Sequence, residues 1–288
     1  MSQKKHAYLI VAHNNFKILC LLLQSLDDVR NDIYLHIGSD VKIFNIKEIE
    51  GCCHSSHLRI FRNPPVIWGD KSQIDVTSFL LQQSTETYEY AYYHLISGVY
   101  FPLKSQDYIH SFFSQNNGKE FISFDSKMYD NPDYFNEMIS GVKYYHLFTS
   151  LFKMRKGRLK KIFGLFHNGL DRFSLTIQKL FRVNRLKRCS LEIHKGANWF
   201  SITHDFAMFV LMNKDLINNL TKYSLCADEI FLQTLCMSSR FKNNLYFGGN
   251  MRYIDWDRGS PYTFRMDDKE LLLNSPMLFA RKFDESID

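Results

Sequence analysis

Near its start the chain reads Ala7 to Ala12 (AYLIVA), a short uninterrupted apolar run, followed by Ile18, Leu19, Leu22, Leu23 and Leu26 at helical spacing. An apolar run without alternation suits a strand buried on both faces, and the 3.6-residue period that follows suits a helix lying across it. Asn14 or Asn15 is placed to cap that helix. The pattern repeats: Ile33 to Ile37 reads as a second strand, Leu58 to Phe61 as a third, and Asp70 to Ser84 as a helix. Tyr90 to Ser97 reads as a strand or the end of that helix, and Ser105 opens another helix after Pro102. Lys119 to Phe124 and Trp199 to Thr203 read as strands, helices start from His204 and Asp228, and Arg252 to Trp256 reads as a late strand. Strands alternating with helices imply an α/β chain with a mostly parallel central sheet flanked by helices.

With 288 residues, no repeat and no Gly/Ser linker, one domain over 1–288 is expected. The charge is uneven. Residues 151–188 hold twelve Lys and Arg against the single acid Asp171, whereas the other 24 bases face 29 acids. Phe152, Ile162, Phe163, Leu165, Phe166, Phe173, Leu180 and Phe181 interleave with those bases. This basic amphipathic insertion reads either as an interfacial helix on anionic lipid or as a solvated helical pair. Nucleic-acid binding is a weaker reading, because no recognised module frames the segment.

The six cysteines lack the paired spacing of a secreted scaffold, and the N-terminus lacks a signal-peptide core. Reduced thiols and a cytoplasmic location, with peripheral contact at the inner face of the membrane, are therefore expected. Cys52, Cys53, His54 and His57 invite a zinc reading, but adjacent cysteines fit one tetrahedral ion poorly. No P-loop, GxGxxG or GxSxG motif is present, which removes the usual anchors of kinase, dinucleotide-oxidoreductase and hydrolase chemistry.

The segments AYLIVAHNN (7–15), VIWGDKSQID (66–75), YHLISGVYFPLKS (93–105), KGANWFSITHDFAMFVL (195–211), ADEIFLQTL (227–235), RYIDWDRGSP (252–261) and LFARKF (278–283) occur in an order and spacing of their own. Taken together they resemble the core-2/I-branching β-1,6-N-acetylglucosaminyltransferases (glycosyltransferase family 14), whose relatives include peptide O-xylosyltransferases. The resemblance implies a GT-A-type fold and inverting transfer from a UDP-sugar, UDP-GlcNAc first, without a divalent metal or other cofactor. The acceptor implied is a hydroxyl of a surface glycan or lipid-linked oligosaccharide. Transfer of xylose or galactose is the alternative, as is a non-catalytic binding module on the same fold.

On that resemblance Glu229 is the general base, although it also reads as a first-turn glutamate beside a capping Asp228. Arg281, Lys282 and Arg265 are the cations for the donor diphosphate. His13, Trp68 and Gly69 fall on the donor side; the family's acid after the second strand is Gly38 here, leaving Asp40 to compensate. A second family acid is replaced by Tyr100. Trp199 and Trp256 are acceptor-side aromatics or core residues. Asp255–Trp256–Asp257 matches the text pattern of a metal clamp, but it lies too late in the chain for that role, and no metal ligand is assigned.

Overall fold

The computed structural model describes residues 4–42, 44–147 and 159–287, the side chains of 159–168 and 188 excepted. β1 (His6–Ala12) is the central strand of a five-stranded sheet. It pairs in parallel with β2 (Asn31–Ile37) and with β4 (Tyr92–Ser97), and β2 pairs in parallel with β3 (His57–Phe61). β6 (Phe200–Thr203) adds to β4 antiparallel, giving the order β3-β2-β1-β4-β6. The mostly parallel sheet expected from the alternation is thus present.

Alternate residues of β1 enter different cores, which is why its sequence shows no polar face. Ala7 and Leu9 pack with Leu80 and Leu81 of the helix Ser72–Thr85 and with Phe206 and Val210 of the helix His204–Met212. Tyr8, Ile10 and Ala12 pack with Leu19, Leu22, Leu23 and Leu26 of the helix Phe16–Leu26 and with Ile109 and Phe113 of the helix Gln106–Gln115. Two helical layers therefore sandwich the sheet.

A small second sheet carries the C-terminus: β5 (Phe101–Pro102), β8 (Phe279–Arg281) and β7 (Arg252–Ile254) in the order β5-β8-β7. β7 and β8 run parallel, with Ile254 opposite Arg281.

Three local expectations are corrected. Asn15 stands before the first helix in a left-handed conformation (φ 54°) and makes no side-chain cap; Glu285 of the tail instead accepts from the Lys17 N–H at 2.9 Å. Lys119 to Phe124 forms no strand, only single bridges from Glu120 to Leu245 and Phe121 to Ser201. Asp228 opens no α-helix: Ala227–Glu229 is a 3-10 turn, and the helix runs over Phe231–Met237.

Of the basic insertion, a helix spans Leu159–Leu180 and a 3-10 turn Arg185–Arg188. Phe152 and the side chains of Ile162, Phe163, Leu165 and Phe166 lie outside the described residues. Among the described residues no helix is long and apolar enough to cross a membrane.

Candidate active site

The candidate residues gather at the carboxyl ends of β1, β2 and β4. His13 follows β1, Gly38 follows β2, and Gly98 follows β4. The N–H groups of Gly38 and Gly98 donate to the carbonyls of Ala12 and Val11 at 3.2 and 3.0 Å. His13 is an exposed residue, yet partial burial of its ring by the surrounding protein holds its pKa below the ordinary value; Arg281 and Lys282 act in the same direction and Asp40 in the opposite one. Asp40, Arg281 and Lys282 therefore all lie within electrostatic reach of His13.

Asp40 stands where the sequence left a gap. Its Oδ1 is 2.9 Å from the point a Cβ on Gly38 would occupy, so the carboxylate folds back over the glycine. Arg62 fixes this loop by donating to the carbonyls of Gly38, Ser39 and Val41 at 3.2, 3.2 and 2.7 Å.

The C-terminal tail brings Arg281 inward. Its guanidinium carbon lies 5.0 Å from the Trp199 ring centre and 5.6 Å from that of Tyr100, and the two rings meet edge-on at 5.3 Å. Nε of Arg281 is buried without a hydrogen-bond acceptor among the described residues, and neither Arg281 nor Lys282 has an ion-pair partner among them. Burial also pushes the Tyr100 phenol well above its ordinary pKa. Trp199, expected on the acceptor side or in the core, also seats Arg281. The tail is pinned by the Phe283 N–H on the Val99 carbonyl (3.1 Å) and by Glu285 on the first helix.

Glu229 lies at the rim, its side chain 42% exposed, with Oε2 3.1 Å from Lys195 Nζ. Its backbone carbonyl accepts from the Gly196 N–H at 2.9 Å. Lys195 and Trp199 are four Cα steps apart, so the Glu229 and Arg281 halves of the site are tied by a segment of at most about 14 Å.

Gly69 links the Trp68 loop to the same rim. It adopts φ 72°, a conformation that favours glycine, and its carbonyl accepts from the Cys226 N–H at 2.9 Å. Gln73 bonds the Gly69 N–H and donates to Asp228 at 3.1 Å, so Asp228 positions this loop and does not cap a helix.

A profile of the Core-2/I-Branching enzymes matches residues 6–272. The chain belongs to the Core-2/I-Branching enzyme family. Over 142 aligned residues it is 30% identical to "Xylosyltransferase sqv-6" of Caenorhabditis briggsae, a match spanning 40% of this chain and 18% of that protein. The apo form of mouse xyloside xylosyltransferase 1 aligns over 96% of each chain with a TM-score of 0.40 and 7% identity.

The remaining candidates of this Core-2/I-Branching enzyme lie farther along the small sheet. Trp256 is 62% exposed, two residues beyond β7 on the edge shared with Lys282. Asp255 before it is bound to Arg258 (2.6 Å) and to the backbone N–H groups of Asp257 and Arg258, both at 3.0 Å. That carboxylate is thereby committed to closing its own loop. Arg265 is exposed, and it adjoins the tail through the backbone bond from the Phe264 N–H to the Lys282 carbonyl (2.9 Å).

The zinc reading of the cysteine loop has a plainer explanation. Cys52 Sγ lies 3.1 Å from the Glu48 carbonyl, and Asp27 accepts from the N–H groups of His54, Ser55 and Ser56. Burial pushes the Cys53 thiol up to about 12. Among the described residues no group of three or more His, Cys, Asp or Glu side chains is placed to hold a metal ion. Sequence reasoning passed over Lys195 and Gln73. Both lie inside segments quoted for the resemblance, but neither residue type announces a partner that only the fold supplies.

Proposed function

We propose that this chain is an inverting, metal-independent glycosyltransferase that moves GlcNAc from UDP-GlcNAc, in β-1,6 linkage, to a hydroxyl of a surface glycan or lipid-linked oligosaccharide at the cytoplasmic face of the membrane. The observation that carries the reading is Arg281: a cation without an ion-pair partner among the described residues, held against two touching aromatic rings at the carboxyl ends of the sheet. A guanidinium fixed in that way is pre-organised for a diphosphate.

In this reading Arg281 and Lys282, with Arg265, hold the diphosphate as negative charge grows on the leaving UDP. His13 and Asp40 flank the nucleoside, and Trp68 and Gly69 form the opposite lip. Glu229 takes the proton from the acceptor hydroxyl as that oxygen attacks the anomeric carbon from the face opposite UDP. Trp256 offers a stacking face for the acceptor sugar.

UDP-xylose is a second donor reading, favoured by the likeness to a protein named as a xylosyltransferase. UDP release from each donor, with and without EDTA, tests both. Turnover of one donor that persists under chelation supports the proposal and selects the sugar. Turnover that chelation abolishes overturns metal independence, and an absence of nucleotide binding leaves only a binding module.

A further inference from the structure

From Gly169 to its end, the helix Leu159–Leu180 leaves apolar side chains outward and turns two of its polar ones, Asp171 and Gln178, toward the protein. Gln178 is buried and clasps the backbone of Tyr145, accepting from its N–H at 2.8 Å and donating to its carbonyl at 2.9 Å. Asp171 Oδ2 lies 3.2 Å from His146 Nδ1. The apolar residues Phe173, Ile177, Leu180 and Phe181 recur at one-turn spacing and are 65%, 39%, 77% and 74% exposed. In the sequence the same spacing runs back through Leu170 and Phe166. A contiguous exposed apolar stripe of this kind marks a surface that is covered in use.

Beyond the end of that helix lies an open pocket of about 530 Å³, with Asn184, Lys187, Asn219 and Lys222 on its walls. Arg185 builds the pocket: it stacks over Tyr145 at 4.8 Å and donates to the carbonyls of Tyr144 and Asn219 at 3.4 Å. Lys187 and Lys222 have no ion-pair partner among the described residues. Arg172, Lys179 and Arg182 stand around the stripe, all exposed.

We propose that this face docks on an anionic lipid bilayer. The apolar stripe enters the boundary between headgroups and acyl chains, while Lys187 and Lys222 receive a lipid phosphate in the adjoining pocket. Charge decides the occupant. Among the described residues Arg172, Lys179, Arg182, Lys187 and Lys222 surround the stripe while Asp171 turns to His146, so two copies of this face repel each other, whereas a negatively charged surface meets both the stripe and its cationic rim.

The test is co-sedimentation of the full chain with vesicles of phosphatidylcholine alone and of phosphatidylcholine with phosphatidylglycerol in equal amounts. The chain should sediment with the mixed vesicles, be released by salt, and ignore the neutral ones. The combined change Phe173→Ser, Leu180→Ser and Phe181→Ser should weaken partitioning by roughly tenfold or more. Lys187→Glu with Lys222→Glu should abolish the preference for phosphatidylglycerol. Circular dichroism and the thermal midpoint establish that these surface variants remain folded.

An unmodified chain that sediments with neither vesicle overturns the proposal, as does a serine variant that binds undiminished. A dimer dispersed by the serine changes would identify a second copy as the occupant and overturn it too. So would glycerol phosphate binding in the pocket without any vesicle binding. Vesicle binding is read without donor or acceptor, so failure of the sugar-transfer reading leaves it untouched.

Discussion

Lys195 holds its ammonium 3.1 Å from the Glu229 carboxylate, and four residues later the same segment places Trp199 beneath Arg281. One short stretch of chain thereby sets both the proposed proton acceptor and the proposed diphosphate cation. Gly196 anchors it between them, its N–H on the Glu229 carbonyl and its Cα packed against Ser123.

Glu229→Gln should lower kcat by about 10²–10⁴-fold while leaving UDP affinity unchanged, because the amide keeps the shape and loses the proton acceptor. Single-turnover transfer and isothermal titration with UDP separate the two quantities. Lys195→Met, which removes the group that steadies the carboxylate, should cost up to about 10²-fold in kcat with little change in donor KM. Transfer that survives Glu229→Gln would mean that another group takes the proton.

β1 and β2 were legible because they are buried on both faces, and burial of that kind favours apolar runs, whereas Tyr92, Tyr93 and His94 left β4 open between a strand and a helix end. The antiparallel sense of β6 was not legible, since Trp199 to Thr203 carries no local mark of direction. Lys119 to Phe124 has strand composition, yet Glu120 is buried there to accept from the Thr203 N–H and Oγ1 at 2.9 and 2.6 Å, and the segment follows that bond instead of a ladder. Asn15 has cap chemistry but lost the position to Glu285, which arrives from the far end of the chain. In the site, Glu229, Arg281 and Asp40 were visible as residue types in ordered segments. Lys195 and the seating of Arg281 on Trp199 were not, because each depends on contacts between distant segments.

Arg281→Lys should raise the donor KM roughly tenfold or more, since an ammonium loses both the stacking on Trp199 and Tyr100 and the paired donors a diphosphate accepts. Trp199→Leu should show a similar defect through loss of the seat alone. Initial rates over a range of UDP-sugar concentrations test this; an unchanged KM in both variants would separate Arg281 from donor binding.

Gly196→Ala places a Cβ 1.9 Å from the Ser123 carbonyl oxygen, so backbone must shift. A loss of roughly 1–3 kcal/mol is expected, as for other overpacked sites. Activity should fall further than stability, because the displaced segment carries both Lys195 and Trp199. Urea unfolding and turnover of the same preparation make the comparison.

Stability should fall on acidification because of three buried histidines at the amino end of the sheet. His6 Nδ1 lies 3.1 Å from His94 Nε2, His94 Nδ1 lies 2.7 Å from Ser201 Oγ, and the His6 ring lies 4.1 Å from that of His110, which bonds Asn31 at 2.9 Å. Burial first, then neighbouring cationic and histidine groups, lowers the pKa of His6 and His94 well below the ordinary 6.5. Burial and Arg30 lower that of His110 to about 4, against the opposite pull of Asp28 and Asp107. The unfolded chain then binds protons near pH 6.5 that the folded chain refuses, so stability is retained above that pH and lost as pH falls toward 4. His110 alone accounts for a loss on the order of 3 kcal/mol across that window, because each tenfold difference in proton affinity between the folded and unfolded chain is worth about 1.36 kcal/mol. Glu120 works the other way: burial raises its pKa to about 7, so it weakens the fold as pH rises from 4.5 to 7. His13, His36 and His194, also lowered by burial, act with these three against the one carboxylate, leaving a net gain in the urea midpoint between pH 4.5 and 6.5, and His110→Asn should flatten that slope. A midpoint that falls as pH rises across this range in the unmodified protein would show that the histidines are protonated in the fold and that Glu120 alone sets the slope.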